Sequence, residues 1–148
     1  MKFLAIAAVG LMVFELLAGP LARREKQKKD KFIAEQFGDR EHLSPEGFYE
    51  AYFSSQGYSR EIVLGIRGIM EKVLDADLSF LKESDDFSKN LSFFWEFDSM
   101  ANAELVQKIE QQFGIRITDQ EAEATKTVRQ LIDLVQVKAC RPQDEVRV

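Results

Sequence analysis

The stretch FDSMANAELVQKIEQQFGI, residues Phe97 to Ile115, decides the fold. Met100, Ala103, Val106, Ile109 and Phe113, with Leu105 alongside, recur at steps of three and four residues. That is the spacing of one buried helix face. Gly114 supplies the C-terminal stop, and the helix is expected to begin near Ser99. A serine in that position has two readings. It can cap the helix by accepting a free backbone N–H, or it can be a covalent attachment point. Asp98 can cap equally well, so having two capping residues in succession leaves one of them free for chemistry.

The neighbouring segments read as further helices. Ser59 caps an expected helix over about 60–74, whose stripe is Ile62, Ile66, Ile69 and Val73, widened by Val63, Met70 and Leu74. A short helix is expected within ITDQEAEAT, where Thr118 and Glu121 form a Thr-x-x-Glu capping box. Thr127 and Gln130 repeat that arrangement at the head of KTVRQLIDLVQVK, with Val128, Leu131, Ile132 and Val135 on one face. The connection over 75–97 holds too many apolar residues (Leu78, Phe80, Leu81, Phe87, Leu91) for a solvated loop, so it should be pinned to the core. Upstream, Ser44 and Pro45 open a short helix of about 45–54 showing Phe48, Tyr49, Tyr52 and Phe53. The tail after Cys140 should fray. No stretch reads as a strand set, so the expected class is all-α: a small antiparallel four-helix bundle with a long first loop. Its expected core includes Ile66, Val106, Ile109, Phe113 and Leu131.

The N-terminus differs in kind. Phe3 to Ala22 is nearly unbroken apolar sequence, interrupted by Glu15, and about 20 such residues cross a bilayer as a helix. Six basic residues follow between Arg23 and Lys31, a flank that stays on the cytoplasmic side. It could also touch anionic headgroups. The expected organisation is a membrane anchor over 1–22, a charged linker with the short helix over 23–58, a bundle over 59–139, and a tail over 140–148. The chain body would then face the cytoplasm. The alternative is a cleaved signal peptide and an exported helical protein.

Composition narrows the function. Of 148 residues, 45% are apolar and twelve are Phe, which allows a real core. Residues 1–43 carry eight Lys/Arg against six Asp/Glu, and the remainder twelve against nineteen. The acidic excess therefore lies in residues 44–148, which argues against nucleic acid and suits partners with basic surfaces. Cys140 is the single cysteine and His42 the single histidine. No intramolecular disulfide or cysteine zinc cluster can form, and a Ser-His-Asp hydrolase has no histidine near Ser99 in sequence.

Residues 59–138 resemble the acyl carrier proteins, the phosphopantetheine carrier domains. The resemblance rests on DSM (Asp98–Met100) at a helix start, ELV (Glu104–Val106), the acidic IEQQF, and KTV opening the last helix. It departs from the family pattern in Glu96, where carriers show Gly, and in Ala101, where an acidic residue is common. It also carries SFFWEF as a short insertion before the motif. The resemblance implies a bundle of the acyl-carrier type, with phosphopantetheine transferred from coenzyme A to Ser99 as a phosphodiester. A phosphopantetheinyl transferase and acyl-transferring enzymes are the implied partners, and no catalytic residues or metal are implied. Asp98, Met100, Glu104, Glu110 and Trp95 are candidate partner contacts. For the aromatic run Phe93, Phe94, Trp95 and Phe97, a hydrophobic plug competes with a docking surface. The expected function is a membrane-tethered carrier of acyl thioesters in lipid or fatty-acid assembly. The alternative is a carrier-like fold without the arm, acting as an anchored adaptor.

Overall fold

Four of the helices start where a short polar side chain accepts a free backbone N–H. The computed structural model describes residues 2–141, with side chains from residue 19 onward. The helices, in chain order, are α1 (Lys2–Phe37), α2 (Pro45–Tyr52), α3 (Arg60–Leu74), α4 (Phe93–Phe97), α5 (Ala101–Phe113), α6 (Asp119–Ala124) and α7 (Val128–Ala139), with a 3-10 turn at Ser54–Gln56. The Ser44, Ser59, Thr118 and Thr127 side chains accept backbone N–H groups at the heads of α2, α3, α6 and α7. Both capping boxes are reciprocal: Glu121 and Gln130 accept the N–H groups of Thr118 and Thr127. Among the described residues there is no strand, only an isolated antiparallel bridge between Asp86 and Thr127. The expected fraying of the tail concerns, beyond Arg141, residues outside those described.

The chain divides into two compact units, one ending at Asp39 and the other beginning at Arg40. In the first, α1 runs without a break through Pro20 and through the expected boundary at residue 22. Among the described residues no helix is long and apolar enough to cross a membrane. The side chains of residues 1–18, which make up most of the expected span, lie outside that description.

In the second unit α3 is central, packing against α2, α5 and α7. Its amphipathic pattern buries Ile62, Val63, Ile66, Ile69, Met70 and Leu74; Val73, expected in the stripe, is half-buried. The expected segment 23–58 falls across both units, because α2 is built into the bundle. Phe48 and Phe53 are fully buried. Arg67 of α3, only 2% exposed, donates to the carbonyls of Leu43 at 2.7 Å and Ser44 at 2.9 Å. Its guanidinium also lies 5.3 Å over the Phe48 ring. A buried cation is tolerated only where its donors are satisfied in this way, so this one arginine ties α2 to α3.

The long loop is pinned as expected, with Leu78, Phe80, Leu81 and Leu91 almost wholly removed from water. Phe87 is half-buried. A buried carboxylate organises the loop. Asp85 accepts from Arg40 Nη1 at 2.8 and 2.9 Å, from the Lys82 N–H at 2.8 Å and from Asn90 Nδ2 at 2.6 Å.

The inward face of α5 departs from expectation. Ala101, Leu105 and Ile109 are buried, whereas Ala103 is exposed, Val106 and Phe113 are half-buried and Met100 is 68% exposed. The helix begins at Ala101 rather than Ser99, behind a turn over Asp98–Met100. Its buried row runs at four-residue steps through Ala101, Leu105 and Ile109, so Leu105, expected alongside the stripe, lies within it. Of the core residues expected from the pattern, Ile66, Ile109 and Leu131 are buried.

Candidate functional site

The aromatic segment before Ser99 forms the single-turn helix α4, and the chain then makes a tight turn. The Asp98 N–H donates to the Phe94 carbonyl at 3.2 Å, ending α4. Asp98 also closes the turn that leads into α5. Its Oδ1 accepts the Met100 N–H at 2.9 Å and its carbonyl accepts the Ala101 N–H at 3.2 Å. Ser99 lies between these contacts, exposed. Among the described residues its hydroxyl has no hydrogen-bond partner. Neither of the two possible caps is used as one: the aspartate closes the turn ahead of α5 and the serine is free.

Just beyond, the N–H groups of Asn102 and Ala103 in the first turn of α5 have no acceptor among the described residues. They carry the positive end of a thirteen-residue helix. An exposed hydroxyl beside free N–H donors fits a phosphodiester, whose charge those donors would offset. The single histidine is engaged elsewhere, with His42 Nδ1 2.6 Å from Ser79 Oγ.

The other expected site residues are not all on one surface. Asp98, Met100 and Glu104 are exposed around the turn. Glu110 is half-buried, and its Oε1 accepts the Ile117 N–H at 2.7 Å, holding the α5–α6 link against the helix. Trp95 is half-buried, with its indole N–H donated to the Phe87 carbonyl at 2.9 Å and its ring 6.3 Å from that of Phe87. Phe93 and Phe94 are buried, so they plug the bundle under the long loop.

A cavity of about 260 Å³, absent from the expectations drawn from sequence, lies alongside α5. Its apolar lining includes Phe87, Trp95, Leu105, Ile109, Leu131 and Leu134. Ser88, Asn102 and Lys126, all exposed, also line it. Asn102 stands three residues after Ser99, so the cavity borders the helix end that carries the serine. The signal in the sequence was faint: a loop phenylalanine and tryptophan with no helical period.

Residues 65–135, a span containing Ser99, match the family model described as "Phosphopantetheine attachment site". The chain is also similar to the acyl carrier protein of Thermosynechococcus vestitus, with 31% identity over 78 residues, 53% of this chain and 91% of that one. A second acyl carrier protein, from Trieres chinensis, is 30% identical over 76 residues, 51% of this chain and 90% of its own. The chain thus belongs to the acyl carrier protein family, a carrier modified by covalent phosphopantetheine rather than an enzyme.

Proposed function

We propose that this protein carries acyl groups on phosphopantetheine attached at Ser99. The observation that carries this reading is the division of labour in the turn, where Asp98 holds the backbone ahead of α5 and leaves the neighbouring hydroxyl exposed and unpaired. In the attachment step the Ser99 oxygen bonds to the pantetheine-side phosphorus of coenzyme A. The pyrophosphate link breaks, the adenosine bisphosphate leaves, and the hydroxyl proton passes to a base on the transferase. The arm supplies a terminal thiol that holds an acyl group as a thioester.

The protein's own residues expose the nucleophile, hold the turn rigid and present a recognition face. We assign that face to Asp98, Met100 and Glu104: two carboxylates for basic residues of partner enzymes and one flexible apolar contact. Glu110, in the last turn of α5, instead holds the α5–α6 link by accepting the Ile117 N–H. The apolar cavity along α5 gives an acyl chain a place out of water.

We further propose a membrane tether with the carrier domain on the cytoplasmic side. Its support is the apolar run Phe3 to Ala22 and the basic cluster behind it. Tethering would raise the carrier's local concentration near membrane-bound acyl-handling enzymes.

Intact-mass measurement of the full chain from its own host tests the first proposal. One phosphopantetheine per chain, lost in Ser99→Ala, is the expected result. A mass that is always unmodified would favour the adaptor reading. For the tether, the protein should stay with membranes through a high-salt wash and require detergent. Release by salt, or a mature N-terminus near Arg23, would reject it.

A further inference from the structure

We infer that the groove between α3 and α5 docks an acidic segment of a partner protein, one that presents a large apolar side chain flanked by carboxylates. The groove contains no part of the attachment turn, so the inference stands apart from the modification of Ser99. It is a space of about 650 Å³ walled by one face of each helix. Its apolar part is formed by Leu64, Gly68, Ile69 and Val73 of α3. Ile69 is buried, while Leu64 and Val73 keep part of their surface in water. At Gly68 no side chain fills the space, and a Cβ there would meet nothing within 4 Å. The groove is open where an apolar side chain of a neighbour can enter.

Charge selects the occupant. Lys72 of α3 and Lys108 of α5 stand on opposite walls, both exposed. Neither forms a hydrogen bond or ion pair among the described residues. Arg40, Arg60, Arg67, Arg129 and Lys138 of the same unit are each paired with a carboxylate. Glu104 is the one carboxylate on the lining, so the groove is locally positive in an acidic stretch of chain. Two ammonium groups around an apolar cleft attract carboxylates and repel a basic surface. An isologous dimer through this face would set the lysines of one copy against those of the other, which disfavours a second copy as the occupant. The register of the helices places the site. Gly65 faces Gln112 and Phe113, and the later residues of α3 line the groove with the earlier ones of α5. The helices therefore run antiparallel, with Lys72 toward Glu104 and the end of α5 nearer Ser99. Lys108 follows Glu104 by about one turn, roughly 6 Å. A partner that spans both must offer a basic group to Glu104 and an acidic one to Lys108.

The test is a selection from a random peptide library displayed on phage, against the full-length protein in detergent. The enriched peptides should carry Asp or Glu on both sides of a Leu, Phe or Trp. Fluorescence anisotropy of a synthesised peptide from the selection should show an affinity that falls as salt is raised. Lys72→Gln and Lys108→Gln should each weaken binding about threefold, and together on the order of tenfold. Gly68→Phe, which fills the groove and leaves every charge in place, should also weaken it on the order of tenfold. Circular dichroism checks that each variant is folded; if Gly68→Phe is not, the exposed lysines decide the matter. Basic or uncharged peptides, or no enrichment over a blank surface, would overturn the inference. So would an affinity that the paired lysine change leaves as it was. Sedimentation of the wild type as a dimer that the paired lysine change dissociates would overturn it in favour of a second copy.

Discussion

The Asp98 carboxylate accepts the N–H of Met100 at 2.9 Å, and Ser99 stands between the two with its hydroxyl in solvent. One side chain thus fixes the turn so that its neighbour can be chemically free. Removing this turn bond should cost about 1 kcal/mol of stability, and it should also slow modification because the hydroxyl loses its fixed presentation. Asp98→Ala is expected to lower the melting temperature slightly and the transferase's kcat/KM markedly. Asp98→Asn, which can still accept the Met100 N–H, should retain stability while losing the charge. If Asp98→Ala is modified as fast as wild type, the turn does not position Ser99.

Phe48 and Phe53 are fully buried although they lie outside the resemblance to carriers. They belong to the same unit as α3 and α7, and Arg67 joins that segment to α3 through the Leu43 and Ser44 carbonyls. Phe48→Ala should therefore cost about 3–5 kcal/mol. A version starting at Ser59 should lose cooperative unfolding, since it would remove the buried Phe48 and Phe53 and two of the acceptors of the Arg67 guanidinium, leaving Glu71. Urea denaturation of both forms tests this. A cooperative transition in the shortened chain, with an unchanged midpoint, would show that α2 is dispensable.

The range of each interaction decided whether the sequence disclosed it. The caps at Ser59, Thr118 and Thr127 and the stop at Gly114 were legible because each is settled within four residues. Ser99 was legible only as a serine near a helix start, since α5 begins two residues later at Ala101. The inner face of α5 was not legible, because steps of three and four residues fit both the row through Val106 and the row through Leu105, and packing chose the latter. Arg67 and Asp85 were also invisible as buried hubs. Their partners are distant in the chain or lie on backbone atoms, and neither leaves a periodic trace. The cavity was hidden for a similar reason, since it is a space shared by the long loop, α5, α6 and α7.

Three surface carboxylates make the fold acid-sensitive in a definite direction. Asp77 is held below the ordinary range by the Ser79 N–H, Asp86 by the Ser88 hydroxyl and N–H, and Glu121 by the Lys138 ammonium and the Thr118 N–H. A folded value below the unfolded one means their stabilisation is complete above the unfolded range. It is lost as pH falls through the lowered values. Stability should thus be flat from neutrality to about pH 5 and decline below about pH 4. Combining Asp77→Asn, Asp86→Asn and Glu121→Gln should flatten that decline in urea titrations run at several pH values. An unaltered acid limb would mean other groups control it.

Two glycines in α3 predict opposite outcomes for the same substitution. A Cβ at Gly68 would meet no atom within 4 Å, whereas one at Gly65 would come within 2.8 Å of Phe113 Cζ and 2.9 Å of Gln112 Nε2. Both positions are helical, so alanine reduces the entropy of the unfolded chain at each, a gain of about 0.4–1 kcal/mol. At Gly68 nothing opposes the gain, and Gly68→Ala should raise the urea midpoint. At Gly65 the new methyl must push back the end of α5, where Phe113 covers the glycine. Overpacking of that kind costs about 1–3 kcal/mol. The Gln112 amide can yield but the Phe113 ring moves only as a whole, which places the cost near the middle of that range, about 2 kcal/mol, and the net effect at about 1 kcal/mol destabilising. Gly65→Leu cannot be accommodated by small shifts and should separate α3 from α5, lowering the cooperativity of unfolding as well as its midpoint. If Gly65→Ala proves as stabilising as Gly68→Ala, the close approach of α3 and α5 at Phe113 is refuted.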